Sequence, residues 1–327
     1  MSFWCIIGMS PTRPNQIIKV EIILKSIHVR GNTYVLDLDI LYLPFYKIDE
    51  HRIILLDTGL KKSDRERLTT YFEENSYTVA GILCSHAHID HVGNAAYFRE
   101  KYGCPVAMTR EEASMVASDS SLKTFYASYP MNKAIEHFGH MVVQTDQIIQ
   151  KDQNEILFVG VCFKLLHTPG HSTGHISITT PDDVTYIGDA LISYEVMESA
   201  KLPYAYILSE DIASKLKLYH LQSSMYILAH KGIYPDVKDL ITDNIYFYRN
   251  RAEEILSVIT RPMTMEDILR AVALKMRIRI GSTYKYFVVE RMLRCYVDYL
   301  CETHRIQLIV EDYSLKFVPS DSGNPDS

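Results

Sequence analysis

The run Cys84-Ser85-His86-Ala87-His88-Ile89-Asp90-His91-Val92-Gly93 sets three imidazoles and a carboxylate into one short segment. In extended backbone, residues i and i+2 share a side, so His86 and His88 can face one cation. A turn into a following helix then carries Asp90 and His91 toward a second. Neutral imidazole and carboxylate are ligands that zinc, iron and manganese all accept, and the chemistry such a site offers is activation of water. A single histidine on an apolar segment is more often a satisfied core or surface residue. His28, His51, His137, His140, His220 and His304 belong to no such pattern and are read that way.

Strand ends and helix starts have to deliver these ligands. Val79 to Cys84 reads as a short apolar strand leading into them, and His91 to Tyr102 as the helix that leaves, closed by Gly103. Upstream, Ile17 to Leu60 is a β-meander with runs at Ile17 to Ile27, Tyr34 to Phe45 and Arg52 to Leu56, followed by a helix over Asp64 to Phe72 capped by Ser63. Downstream come a strand over Pro105 to Met108 and a helical insertion over Glu111 to Ile149, rich in Phe, Tyr and Met. Strands follow at Glu155 to Leu166, His175 to Thr179, Thr185 to Ile187 and Met225 to Leu228, with a helix over Ser209 to Leu221. Beyond Val237 three helices are expected, Asp239 to Ile259, Thr264 to Met276 and Tyr284 to His304, the second capped by Thr264. A hairpin of Gln307 to Val310 and Leu315 to Val318, joined at Glu311-Asp312, gives this last region a winged-helix-like pattern. The expected organisation is an α/β catalytic domain over 1–238 with a helical lid insertion at 111–150, a small helical winged-helix-like domain over 239–318, and a disordered tail at 319–327.

Composition bounds the function. With 327 residues, 47% hydrophobic and 23% charged, the chain can build a large core. A net charge of −6 gives no general polyanion-binding signature, and the basic residues Lys275, Arg277, Arg279 and Lys285 are diluted by Glu266, Asp267 and Glu290. Nucleic acid is therefore not the expected partner. The six cysteines form no C-x-x-C pair, which fits free thiols in a reducing compartment. Met1 to Met9 is apolar but lacks a basic leader and a small-residue cleavage site, and no apolar run reaches the roughly 18 residues of a membrane span. The expectation is a soluble cytoplasmic protein with no membrane contact; a homodimer is left open.

Four further motifs accompany the His86 to His91 run in order, and together they resemble the metallo-β-lactamase superfamily over about residues 17–235. The resemblance implies a four-layer αββα sandwich. Asp57-Thr58-Gly59 is similar to the first motif, whose Asp orients ligands without binding metal. In His167-Thr168-Pro169-Gly170-His171-Ser172-Thr173-Gly174-His175, His171 would complete the first metal's set with His86 and His88. Asp189 of Gly188-Asp189-Ala190 would bridge two metals. His230 would join Asp90 and His91 on the second, in an Ala229-His230-Lys231-Gly232 segment where the family usually has G-H-G. His167 and His175 stand beside a ligand as candidate hydrogen-bond supports.

The implied cofactors are two zinc ions, with iron or manganese acceptable to the same ligands. His88 occupies the position where flavodiiron relatives carry Glu, which speaks against oxygen reduction. The implied reaction is hydrolysis, with Asp90 as the catalytic residue that holds a hydroxide formed between the metals as it attacks a carbonyl. The T-P-G-H-S-T-G-H stretch is most similar to the glyoxalase II-like branch, which implies a small acyl substrate: a thioester, ester or lactone. No glutathione-binding helical region is recognisable, so the acyl carrier stays open. The alternative is an endoribonuclease or phosphodiesterase of the same superfamily, since some of these carry a winged-helix-like C-terminal region; the acidic net charge and the lack of a large helicase-like insertion weigh against it. Tyr126 and Phe138 in the insertion, and Tyr194 after Asp189, are candidates to line the substrate pocket.

Overall fold

Alternating β-branched and aromatic residues organise the first half of the chain in the computed structural model, which describes residues 24–320. The segment Met1 to Met9, the beginning of the first expected strand and most of the expected tail lie outside the described residues. Strands β1 (Ser26–Arg30), β2 (Thr33–Asp37), β3 (Tyr42–Lys47) and β4 (Arg52–Leu56) form an antiparallel meander. Helix α1 (Arg65–Glu74) crosses to β5 (Thr78–Leu83), which pairs parallel with β4. Two helices, α2 (Ile89–Val92) and α3 (Ala95–Tyr102), precede the parallel strand β6 (Val106–Thr109). The helices α4 (Arg110–Met115), α5 (Asp119–Phe125) and α6 (Met131–Phe138) then lead to β7 (Gln147–Ile149), the edge of a seven-stranded sheet ordered β1 to β7.

Two expectations are corrected here. The helix expected over His91 to Tyr102 is interrupted at Gly93-Asn94, where Asn94 leaves helical geometry at φ −120°, and Gly93 packs so close to the Gly59 carbonyl oxygen that a Cβ would lie 2.6 Å from it. The Asn94 amide spans the gap by donating to the carbonyls of Thr58 (2.8 Å) and Leu60 (3.1 Å). The helical insertion also ends before Gln147, since Gln147-Ile148-Ile149 pairs parallel with β6 and satisfies that strand's open edge.

A second, six-stranded sheet follows. It is ordered β13-β12-β11-β10-β9-β8, built from β8 (Glu155–Phe158), β9 (Val161–His167), β10 (Ile176–Thr179), β11 (Val184–Gly188), β12 (Met225–Leu228) and β13 (Gly232–Tyr234). Helices α7 (Tyr194–Ser199) and α8 (Leu208–Leu218) fill the crossover between the parallel strands β11 and β12. Strand β13 and helix α7 come from segments too short for a periodic signal. The C-terminal region supplies α9 (Lys238–Leu256), α10 (Met265–Lys275) and α11 (Thr283–Glu302), then the hairpin β14 (Ile306–Glu311) and β15 (Ser314–Pro319). Thr264 closes a capping box with Asp267 at the start of α10, as the sequence suggests. The hairpin turns at Asp312-Tyr313, both with positive φ, one residue later than expected.

Strand alternation divides the apolar residues into two cores. Tyr186 of β11 and Ile227 of β12 face inward with residues of the first sheet, among them Leu43, Leu55 and Ile82. Their neighbours Ile187, Tyr226 and Leu228 face outward and pack with Leu208 and Ile212 of α8, Ile241 and Tyr248 of α9, and Leu293 and Tyr296 of α11. Helices α1 and α3 meet over the other sheet through Phe72 and Phe98, whose rings are 5.6 Å apart. This is the αββα layering of two sheets face to face, and the C-terminal helices complete its last layer. Among the described residues no helix is long and apolar enough to cross a membrane.

Candidate metal centre

The ligand candidates gather where the sheets' strands end. Strand β5 runs into His86, His88, Asp90 and His91; β9 leads to His171; β11 ends at Asp189; β12 ends before His230. All seven are buried, none more than 3% exposed. His86, His88 and His171 form one group that could hold a metal ion, and Asp90, His91 and His230 another. His86, His91 and Asp189 form a third that overlaps the first two.

Hydrogen bonds behind the rings settle which nitrogen each presents. His91 Nδ1 donates to Asp57 Oδ2 at 2.8 Å and His230 Nδ1 to the Ile40 carbonyl at 3.1 Å, which turns each Nε2 toward the centre. His86 Nδ1 lies 3.1 Å from the Ser85 hydroxyl, whose own proton goes to Asp57 Oδ2, so His86 also presents Nε2. That atom is 2.9 Å from His88 Nδ1, which is 3.0 Å from His171 Nε2. Ligands around a tetrahedral zinc stand roughly 3.3 Å apart, so converging nitrogens of this kind suit a shared cation better than one another.

The carboxylates lie between the two groups. Asp189 Oδ2 is 3.2 Å from His171 Nε2 and 3.4 Å from His230 Nε2, and its Oδ1 is 3.6 Å from His91 Nε2. Asp90 Oδ2 is 3.5 Å from His230 Nε2. Among the described residues His91 Nε2 and Asp189 Oδ1 are buried without a hydrogen-bond partner, an arrangement that costs free energy unless a cation lies between them. Electrostatics divides the centre into two halves. Burial, with His91 and His88 nearby, pushes His86 well below the usual histidine range; burial, His171 and Arg291 do the same to His88. These rings stay neutral and can ligate. At His91 and His230 burial is outweighed by Asp189, with Asp90 at both and Asp57 at His91, and both rings are raised above the usual histidine range, so a cation there would displace a proton from each Nε2. Burial opposes ionisation of Asp189, but His230, His91 and His171 outweigh it and hold the carboxyl well below its usual range. The donor set therefore fits two divalent cations, and exclusive zinc selectivity is not required by it.

Beneath the ligands lies a layer that holds their geometry. Asp57, fully buried with φ 71°, accepts from the Ser85 amide at 2.7 Å, the Ser85 hydroxyl at 2.6 Å, His91, and the Tyr186 hydroxyl at 2.7 Å. A left-handed backbone at a non-glycine residue is strained, and these bonds hold it. His175 accepts from the Asp189 amide at Nε2 (3.1 Å) and so donates from Nδ1 to Thr168 Oγ1 (2.8 Å). Gly188 makes room for this: its φ is 62°, and a Cβ there would sit 2.6 Å from His175 Nε2. His167 turns away and donates to the Gln153 carbonyl. Lys231 has φ 60° at the place where the family's usual motif has glycine, and an ion pair with Asp37 at 3.0 Å anchors it.

Glu112 is absent from every motif, yet it ties the two ligand loops together. Its carboxylate accepts from the Ala87 amide (2.8 Å), the Ser172 hydroxyl (2.7 Å) and the Gly174 amide (2.7 Å). No local signal marks it, because its partners are far away in sequence. Glu112→Ala would leave these donors buried and unpaired. The expected cost is about 3 kcal/mol in urea unfolding, with weakened metal retention; a loss below about 0.5 kcal/mol would remove it from this role.

The three pocket candidates separate. Tyr126, just after α5, and Phe138, at the end of α6, are buried and stack on each other at 3.7 Å between ring centroids. Tyr194 is 42% exposed at the start of α7, and its hydroxyl donates to Asp243. Phe125 and Tyr204, which no motif marks, stand beside the ligand rings, 6.3 and 5.5 Å from His88.

A model of the metallo-beta-lactamase superfamily matches residues 44–230, from β3 through His230. The chain belongs to this superfamily. Within the family it is 30% identical over 148 residues to the probable metallo-hydrolase YqgX of Bacillus subtilis, a match covering 45% of this chain and 64% of YqgX, just under two thirds of that protein. It is 25% identical over 195 residues to the hydroxyacylglutathione hydrolase GloC of Haemophilus influenzae, covering 58% and 84%. In fold it is similar to a Burkholderia ambifaria beta-lactamase domain protein, with a TM-score of 0.68 at 16% identity over 90% of this chain and 94% of that one. A metallo-beta-lactamase family protein of Thermus thermophilus gives a TM-score of 0.64 at 18% identity, covering 90% and 97%.

Proposed function

We propose that this superfamily member is a dinuclear metal-dependent hydrolase of thioester, ester or lactone bonds. The observation that carries the reading is the placement of Asp189 between the His86, His88, His171 group and the Asp90, His91, His230 group, both buried at strand ends. On this reading His86, His88 and His171 would hold one ion and Asp90, His91 and His230 the other, with the Asp189 carboxylate available to each, zinc preferred and iron or manganese accepted. Bound there, the ions would acidify water and polarise the carbonyl under attack. The chain's own residues do the rest. Asp90, whose Oδ1 and Oδ2 lie 3.9 and 3.5 Å from His91 and His230 Nε2, would ligate the second ion and orient the attacking hydroxide. Asp57 and His175 hold His91 and Asp189 in register through their hydrogen bonds. The aromatic lid excludes bulk water from the reacting carbonyl.

The acyl reading is supported by the apolar lid and by the likeness to a protein named as a hydroxyacylglutathione hydrolase. Helices α9 to α11 with the β14-β15 hairpin we read as a winged-helix-like unit fused to the outer layer, and the substrate as a small molecule handled without nucleic acid or membrane. One panel tests these readings: kcat/KM for an acyl thioester, a lactone, an aryl phosphodiester and single-stranded RNA on one preparation, with Asp90→Asn as control. Thioester or lactone turnover is expected to dominate and to fall by on the order of 10²-fold or more in Asp90→Asn. Efficient RNA cleavage with inert thioesters and lactones would replace this reading with the nuclease one.

A further inference from the structure

Arg291 comes from the middle of α11, far in sequence from every metal-ligand candidate, yet its guanidinium lies among the rings beside the three-histidine group. Its Cζ is 4.1 Å from the ring centre of Phe125, 4.8 Å from Tyr126 and 5.3 Å from Tyr204. Tyr204 in turn stands 5.5 Å from the His88 ring and 5.6 Å from His171. One guanidinium nitrogen is used: Nε donates to the Tyr204 hydroxyl at 3.1 Å. The terminal nitrogens Nη1 and Nη2 are buried and have no hydrogen-bond acceptor among the described residues. The Tyr126 hydroxyl, on the lid side of the same cage, is likewise buried and unpaired among them.

Aromatic faces stabilise a cation, but they do not accept its N–H groups, so the cage offsets only part of the cost of burying this charge. Nη1 and Nη2 form a planar fork, the geometry that binds a carboxylate or phosphate in two parallel hydrogen bonds, and the Tyr126 hydroxyl is a further unused donor on the ring that the guanidinium covers. A structural arginine on a helix facing the core would normally end in such a pair within the protein.

We infer that Arg291, together with the Tyr126 hydroxyl, binds an anionic oxygen group of the ligand, a carboxylate or a phosphate, beside the His88 and His171 side of the metal centre. The inference deepens the hydrolase reading and rests on it for calling that ligand a substrate: an acyl compound with a negative charge a short distance from the scissile carbonyl. Phe125 and Tyr126 screen the fork from solvent, and both belong to the lid, at the end of α5 and just after it. The ligand therefore enters as that segment swings aside, and the arginine reports the correct charge before the lid closes. Tyr206, 43% exposed and stacked on Phe125 at 5.6 Å, forms the outer rim of the same entrance.

The test separates binding from turnover. Succinate and inorganic phosphate are titrated calorimetrically into metal-loaded wild type, Arg291→Met, Arg291→Lys and Tyr126→Phe, each checked for metal content and circular dichroism. Affinity for at least one anion is expected to fall about 10- to 100-fold in Arg291→Met, less in Arg291→Lys, and a few-fold in Tyr126→Phe, which keeps the stack on Phe138. Succinate sensitivity alone identifies a carboxylate, and phosphate sensitivity alone a phosphoryl group. Unchanged affinities for both anions in folded, metal-loaded variants overturn the inference. If Arg291→Met fails to fold, Arg291→Lys and Tyr126→Phe decide on the same criterion. A second arm compares kcat/KM for matched succinyl and butanoyl thioesters: Arg291→Lys should lose the anionic preference while retaining most butanoyl turnover, whereas an equal loss on both substrates assigns the residue to packing and overturns the inference. Arg291-dependent anion binding in a protein inert toward all acyl substrates would keep the site and remove the hydrolase reading.

Discussion

Asp189→Ala is expected to lower kcat/KM by on the order of 10³-fold or more and to reduce bound metal from about two ions per chain to fewer than one. The size of the effect follows from position. Among the described residues Asp189 is the one carboxylate within 3.6 Å of His91, His171 and His230 together, so it contributes to both ligand groups. Removing it also takes a negative charge from among five imidazoles, which weakens the attraction for a cation in either half. Its backbone stays held by His175 through the amide, so the fold should persist while the chemistry fails. Elemental analysis and kinetics at saturating zinc measure both effects. A variant with full metal and near-normal turnover would sink the assignment.

Stripping metal from the intact protein should have the second largest effect, on stability. A chelator is expected to lower Tm by about 5–15 °C, because ions held at a thousand times their dissociation constants contribute about 4 kcal/mol to the folded state. The physical source is the buried electrostatics. Asp57, Asp90 and Asp189 sit within 3% exposure among converging imidazole lone pairs, and cations relieve repulsion on both sides. Calorimetry with and without dipicolinate, followed by zinc, iron or manganese readdition, tests this and ranks the metals. An unchanged Tm both on chelation and on readdition of each metal would remove the dinuclear reading.

Much of the ligand geometry was legible because it is local. His86, His88, Asp90 and His91 sit on one strand end, and their spacing alone brings them together; the remaining ligand candidates were recognisable through motifs at other strand ends. The order of strands and helices was readable for the same reason, period by period. What the sequence hid is non-local. Glu112 lies in an aromatic helical insertion and meets Ala87, Ser172 and Gly174 only after both sheets have formed. Arg291 reads as an ordinary polar position on an amphipathic helix until α11 packs against the lid. The break at Gly93 and the edge strand β7 were missed because each depends on an approach between segments, which periodicity does not record. Tyr194 stood next to a motif in sequence, but the start of α7 points its hydroxyl to Asp243.

The division of labour between the ligand loops and α11 has a consequence for how the protein comes into being. Every metal-ligand candidate lies between His86 and His230, whereas Arg291 belongs to a helix synthesised later. A chain emerging from the ribosome folds from its N-terminal side, so the histidine and aspartate cluster can assemble and capture ions before the cationic fork exists. Hydrolytic power and the ability to choose a substrate would then be acquired in sequence. Until α11 docks, the apolar residues of α8 and α9 that pack against it would stay exposed, and a nascent chain at that stage is expected to be prone to aggregate.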